Sequence, residues 1–351
     1  MEFERLNGNF PRPEELKRRV EHVKRIIIHH PKYGELLDEL EMMLMLSEGS
    51  VNPEGLYLFG PTGVGKSTVT TEFTDRYPRE YIKTIDREYT YIPVLHVRVP
   101  PKATPRMLAS KILERMGDPL HHKGTEIEMR SRIHHFVREL KVKMIILDEF
   151  QHLIDADTDH VLTTASNWVK TFTEEIRIAV VLCGMPESVK VFISNPQLDR
   201  RYFNKVELEP FAYGTVEEIL MFRIFLQKID GELPFPDLSN LADPRMADKI
   251  YYISKGIPFY VMELMKYATL LAVMHGADKI NESDMAKALT KVKQVARPFV
   301  SNPFNDTSFE LEAVIKSETD ADNRYKEKLM DKRKKTRKSQ ISQETQKQRS
   351  N

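Results

Sequence analysis

The run Leu56-Tyr57-Leu58-Phe59 passes directly into Gly60-Pro61-Thr62-Gly63-Val64-Gly65-Lys66-Ser67-Thr68. An apolar strand feeding a glycine-rich loop, then lysine and hydroxyl residues, leaves few folds open. The loop fits G-x-x-x-x-G-K-[ST] at every defined position. Its glycines let the backbone turn tightly, so several N–H groups converge on phosphate oxygens. The helix that follows turns its positive N-terminal end toward the same anion. Lys66 is expected to reach the β- and γ-phosphates, and Ser67 to ligate Mg²⁺. ATP and Mg²⁺ are therefore the expected cofactors, held over Gly60 to Thr68.

A phosphate loop of this kind needs an acidic partner. Met144-Ile145-Ile146-Leu147-Asp148-Glu149-Phe150 supplies one: an apolar strand ending in two acids. Asp148 is placed to hold Mg²⁺, directly or through water. Glu149 is placed to orient or deprotonate the attacking water. A third element is the segment Asn195-Pro196-Gln197-Leu198-Asp199-Arg200-Arg201, which precedes the last strand signal. Phosphoryl transfer gains from an added positive charge, often an arginine from a neighbouring subunit. Arg200 and Arg201 are both candidates for that role. Such an arrangement requires head-to-tail assembly, which produces rings or helical filaments.

The 351 residues divide by pattern, and with 41% apolar residues they can bury a sizeable core. Residues 1–50 carry helical spacing. Residues 51–211 alternate strand and helix signals, which predicts an α/β fold: a parallel five-stranded sheet flanked by helices. Residues 212–296 read as a small all-helical lid. Residues 297–351 read as an extension ending in a basic tail that is too polar to fold alone. From Arg324 to Asn351 there are eleven Lys or Arg and three Asp or Glu, so this end carries +8 of a total of +1 and the rest carries −7. The tail suits contact with nucleic acid or a partner protein. No apolar run approaches a membrane span, the N-terminus lacks the apolar stretch of a signal peptide, and Cys183 is the only cysteine. These features predict a soluble, cytoplasmic protein with no membrane partner.

With these residues in hand, the chain resembles AAA+ P-loop ATPases, and more narrowly the TniB/TnsC family of transposition regulators. The resemblance spans roughly residues 10 to 290. It rests on "GPTGVGKST", "IILDEFQHLI", "VVLCGMPE" and "QLDRRYF", with support from "HHPKYGELLDELEMML". It implies a prokaryotic ATP-switched adaptor that oligomerises on double-stranded DNA as a ring or filament. Such a protein links a TniQ-like target selector to a DDE transposase of the TnsB/TniA kind, and hydrolysis takes the assembly apart. Lys66, Ser67, Asp148 and Glu149 carry over by motif, with Arg200 or Arg201 as the arginine finger. Two positions depart from the wider AAA+ pattern. The fourth strand ends Cys183-Gly184-Met185, with no polar side chain to help place the water. Gly256-Ile257-Pro258-Phe259 carries Phe where a lid arginine is usual. Both departures predict slow hydrolysis.

Grip on duplex DNA without sequence preference needs cations and hydroxyls aimed at phosphates. The connection after the second strand offers Lys102, Thr104 and Arg106. The loop before the next helix offers Lys123, Thr125 and Arg130. In the resembling family these two regions touch DNA. The paired histidines are poor chelates, Trp168 reads as core or packing surface, and the Met-rich segment from Tyr260 to Gly276 reads as lid core. A helicase-loader-like ATPase and a nucleotide-binding signalling or scaffold protein without a DNA role are the alternative functions.

Overall fold

The computed structural model describes residues 3–50, 53–84, 88–154, 159–292 and 294–328. The N-terminal segment holds helices α1 (Pro13–Arg25) and α2 (Pro31–Ser47). Each begins with proline at its first position, where the missing N–H costs nothing. The helical spacing of residues 1–50 predicts no break between Pro13 and His30, yet α1 stops at Arg25. Ile26, the first of three consecutive β-branched isoleucines, is extended (φ −64°, ψ 120°), and so is His30 before Pro31. The chain forms two compact units, His29–Pro210 and residues up to Ile28 joined with Phe211 onwards. The 1–50 segment, expected as one extension, is thus divided between them.

The first unit is the α/β unit. Its elements are β1 (Gly55–Phe59), α3 (Lys66–Asp75), β2 (Glu80–Lys83), β3 (Glu88–Tyr91), β4 (Val94–Arg98), α4 (Pro105–Met116), α5 (Glu126–Glu139), β5 (Met144–Asp148), α6 (Asp159–Ile176), β6 (Ala179–Gly184), α7 (Lys190–Ile193), α8 (Pro196–Arg201) and β7 (Asn204–Glu207). The sheet is five-stranded and parallel, in the order β4-β5-β6-β1-β7. β5 and β6 are buried at every position, as a sheet covered on both faces requires. Leu95, Val97, Ile145, Leu147, Val180 and Leu182 pack on one face with α4, α5 and α6, whereas Leu56, Leu58, Ile146 and Val181 pack on the other with α2 and α3. A two-stranded antiparallel hairpin, β2–β3, lies outside this sheet and was not anticipated.

The second unit is helical. It contains α9 (Val216–Glu232), α10 (Pro244–Ser254), α11 (Pro258–Met274) and α12 (Glu282–Leu289), with α1 packed along α11. Val23 and Ile28 join Phe222, Phe225, Leu264, Ala268 and Met285 in its core. The Met-rich segment forms α11, as its spacing suggested. The core does not stop near 296: Phe304 and Phe309 are buried in it, and the chain is helical again over 311–328. Arg297 and Glu318 form a shielded ion pair at 2.7 Å. The expected basic tail beyond 328 lies outside the described residues. Among the described residues, no single helix is long and apolar enough to cross a membrane.

Candidate nucleotide-binding and hydrolytic site

In a parallel sheet all strands end on one edge, and ligands gather there. β1 ends at the phosphate loop, β4 at Arg98, β5 at Asp148 and β6 at Gly184. β6 lies between β5 and β1, so the stretch after Gly184 stands between the acidic pair and the loop.

The loop has the backbone its sequence demands. Gly60, Gly63 and Gly65 have φ of 153°, 87° and 108°. At Gly60 the need is also steric, since a Cβ would lie 2.1 Å from the Leu208 carbonyl oxygen. Within the loop Val64 is buried, and Leu208 N–H donates to Phe59 O at 2.8 Å, fixing the end of β7 to the loop's root. Lys66 Nζ donates to Gly60 O at 2.7 Å and Pro61 O at 2.8 Å. Burial pulls the Lys66 ammonium below its usual range, while Asp148, Cys183 and Glu149 pull it upward. Ser67 and Thr68 are exposed on the first turn of α3. The positive-φ loop, the lysine and the helix start fit a polyphosphate. Ser67 and Asp148, both oxygen donors, suit Mg²⁺.

Asp148 is buried at 4% exposure, and its Oδ1 accepts the Glu149 N–H at 2.8 Å. His96 Nε2 stands 3.8 Å from its other oxygen. Burial pulls His96 below its usual range, with Asp148 opposing. Glu149 occupies the left-handed region (φ 59°, ψ 39°), a conformation that costs a non-glycine residue roughly 1 kcal/mol or more. Its Oε1 pairs with Arg98 Nη2 at 3.1 Å, and its Oε2 accepts from Gln151 Nε2. Gln151 Oε1 accepts the Met185 N–H at 3.2 Å. The end of β6 does lack a polar side chain of its own, but Gln151 brings an amide there from the 3₁₀ turn Phe150–Leu153. Sequence reading missed Gln151, Arg98 and His96. The one available signal was an amide two residues beyond the acidic pair.

Arg200 and Arg201 close α8, a short helix capped by Asn195. They part company: Arg201 Nη2 donates to the Thr173 carbonyl at 2.8 Å, whereas Arg200 is exposed. Neither is tied to the residues around Lys66 of the same chain by any described hydrogen bond.

The two basic regions do meet. Arg106 Nη2 donates to His122 O at 3.2 Å and its Nε to Gly124 O at 3.3 Å, joining the start of α4 to the loop before α5. Lys102, Arg106 and Lys123 are exposed. Thr104 and Thr125 are N-caps, accepting from the N–H groups of Met107 and Glu128. Arg130 stands apart: its guanidinium is 3.0 Å from Glu175 and 3.6 Å from Glu126. Ala103 N–H donates to His152 O at 3.0 Å, tying the first basic loop to the turn that carries Gln151. Trp168 is buried, stacked on Phe172, and donates to Glu126. In the helical unit, Phe259 is 52% exposed on the first turn of α11.

Comparison with known proteins bears on this arrangement. A family model described as bacterial TniB protein matches residues 19–213. No match to a curated protein was found. Among solved structures, the chain is similar to the ORC2 protein of Aeropyrum pernix in its ADPNP–ADP complexes, at 17% identity and TM-score 0.54, covering 79% of this chain and 72% of that one. It is similar to the ORC1 protein of the same organism in complex with DNA, at 16% identity and TM-score 0.55, covering 78% and 69%. Cdc6p of Pyrobaculum aerophilum gives 16% identity and TM-score 0.54, covering 78% and 70%. These likenesses establish the AAA+ fold.

Proposed function

The chain belongs to the bacterial TniB family, and from that premise we propose that it is an ATP-dependent regulator of DNA transposition. It binds ATP and assembles head to tail on double-stranded DNA as a ring or filament, with little sequence preference. The assembly links a TniQ-like target selector to a DDE transposase in the prokaryotic cytoplasm. Slow hydrolysis to ADP and phosphate releases it.

The observation that carries this reading is the convergence of Lys66, Ser67, Asp148 and Glu149 on one sheet edge, with Arg200 exposed on a separate short helix. Lys66 exchanges its two loop carbonyls for phosphate oxygens. Ser67 and Asp148 hold Mg²⁺, which when bound neutralises charge developing on the phosphates. Glu149 takes a proton from water as the water oxygen bonds to the γ-phosphorus, and the bond from that phosphorus to the bridging oxygen breaks. Arg200 of a neighbouring copy adds positive charge to the transferring group. Lys102, Arg106 and Lys123 meet DNA phosphates, each too weak alone but effective when repeated along an assembly.

The test is electron microscopy of the purified chain with plasmid DNA, with and without a non-hydrolysable ATP analogue. Regular assemblies on DNA that require the nucleotide are expected. A chain that stays a single protomer with both in excess refutes the reading.

A further inference from the structure

Gln151 is fixed at both ends of its amide. Its Nε2 donates to Glu149 Oε2 at 2.5 Å, and its Oε1 accepts the Met185 N–H at 3.2 Å. Only one orientation of the amide satisfies both, because a carboxylate accepts and a main-chain N–H donates. Met185 is fixed in turn. Its carbonyl accepts from Tyr57 Oη at 3.0 Å and Ser188 Oγ at 2.5 Å, and its Sδ accepts from Thr62 Oγ1 of the phosphate loop at 3.3 Å. Gly184 keeps the space clear, since a Cβ there would lie 2.5 Å from Ser188 Oγ and 3.4 Å from Gln151 Oε1. Contacts therefore run without a break from Thr62 through Met185 and Gln151 to Glu149. The other restraint on Glu149 is weaker. Arg98 reaches Oε1 at 3.1 Å, but its side chain is 74% exposed, so water screens the pair.

We infer that Gln151 is a positioning residue for hydrolysis, holding the Glu149 carboxylate against the end of β6 and joining it through Met185 to the phosphate loop. This rests on the ATPase reading above. Gln151 acts on the reaction through Glu149 and touches no reacting atom. Its amide fixes one carboxylate oxygen without adding charge, so Glu149 stays aligned and able to accept a proton.

The experiment is steady-state ATP hydrolysis by the full chain with DNA, across pH, for wild type, Glu149→Gln, Gln151→Ala and Gln151→Glu. Turnover in wild type that Glu149→Gln removes supports the ATPase reading. Its absence in wild type, or its persistence in Glu149→Gln, refutes that reading and the inference with it. Gln151→Ala is expected to lower kcat about 10- to 100-fold, the scale of a misplaced catalytic group. The KM for ATP and the Kd for a fluorescent ATP analogue should stay within about twofold of wild type, as for a loss confined to the transition state. Gln151→Glu keeps the shape but sets a second carboxylate beside Glu149, so the acid limb of the kcat profile moves to higher pH. This near-isosteric variant answers the question even if the alanine variant folds poorly. Wild-type kcat in Gln151→Ala, or an unmoved acid limb in Gln151→Glu, overturns the inference. A fall in kcat matched by an equal rise in KM does so too, because a merely structural role predicts it.

Discussion

The Lys66 ammonium, half-buried and bonded to two loop carbonyls, is held where burial disfavours its charge. A polyphosphate supplies the missing compensation. Lys66→Ala should therefore weaken ATP binding by about 1.5–3 kcal/mol, the range for hydrogen bonds to charged groups, measurable by titration with a fluorescent analogue. The glycines separate by sterics. Gly60→Ala meets the Leu208 carbonyl at 2.1 Å, whereas at Gly65 the nearest atom is a Leu208 methyl at 4.0 Å. Gly60→Ala should lower Tm more than Gly65→Ala in a thermal melt. Arg98→Ala removes only a solvent-screened pair, worth under about 1 kcal/mol of stability. It also leaves Glu149 Oε1 without its competitor, so basal turnover should rise a few-fold in a phosphate-release assay. The loop and the acidic pair were legible in the sequence because each is contiguous and its spacing carries the chemistry. Gln151 and Arg98 were not, because their part depends on sheet order. Only the insertion of β6 between β5 and β1 brings a Met185 N–H within reach of an amide from the turn after β5.

Elements begin and end where local chemistry says. Thr125 caps α5 in a reciprocal box with Glu128, its hydroxyl accepting at 3.3 Å while the Glu128 carboxylate accepts the Thr125 N–H at 2.7 Å. Thr125→Ala should cost about 1 kcal/mol, and Thr125→Ser should restore most of it, read by urea denaturation. Any loss of DNA binding in the alanine variant must be compared with the serine variant, because loosening the cap alone would disturb Lys123. The helix over 311–328 is harder to read beyond Ile315, since "SETDADNRYKEK" shows little apolar periodicity. Leu311 and Val314 pack its start against the helical core, and Arg297 anchors its middle through Glu318. Burial pushes the Glu318 carboxyl up, and the Arg297 guanidinium more than offsets this, leaving it below the usual carboxylate range. A depressed pKa stabilises the fold above the unfolded value, about 4.3, and the gain fades as pH falls below that. Glu318→Ala should thus lower Tm markedly at pH 7, and the gap to wild type should narrow near pH 4. The β2–β3 hairpin escaped notice because its strands, "EYIK" and "EYTY", are only four residues long and each carries charge.

At the scale of the whole molecule, the two adjacent arginines make opposite predictions. Arg201 is anchored to Thr173, so Arg201→Ala should lower Tm. Arg200 is exposed, so Arg200→Ala should leave Tm unchanged yet abolish DNA-stimulated hydrolysis. If the arginine acts on a neighbour's nucleotide, mixing Arg200→Ala with Glu149→Gln restores part of the activity, since one chain supplies the arginine and the other the carboxylate. Recovery on mixing two inactive chains is the measurement, and no recovery argues against shared sites. Division of the chain also bears on its synthesis. α1 belongs to a core completed by α11 and closed by Phe304 and Phe309. On the ribosome, α1 must wait for its partners while the whole of His29–Pro210 is made. The nucleotide-binding half can fold first, because domains form as units during translation. Val23 and Ile28 stay uncovered through that interval, so the segment ahead of His29 carries exposed apolar surface until the helical unit is complete.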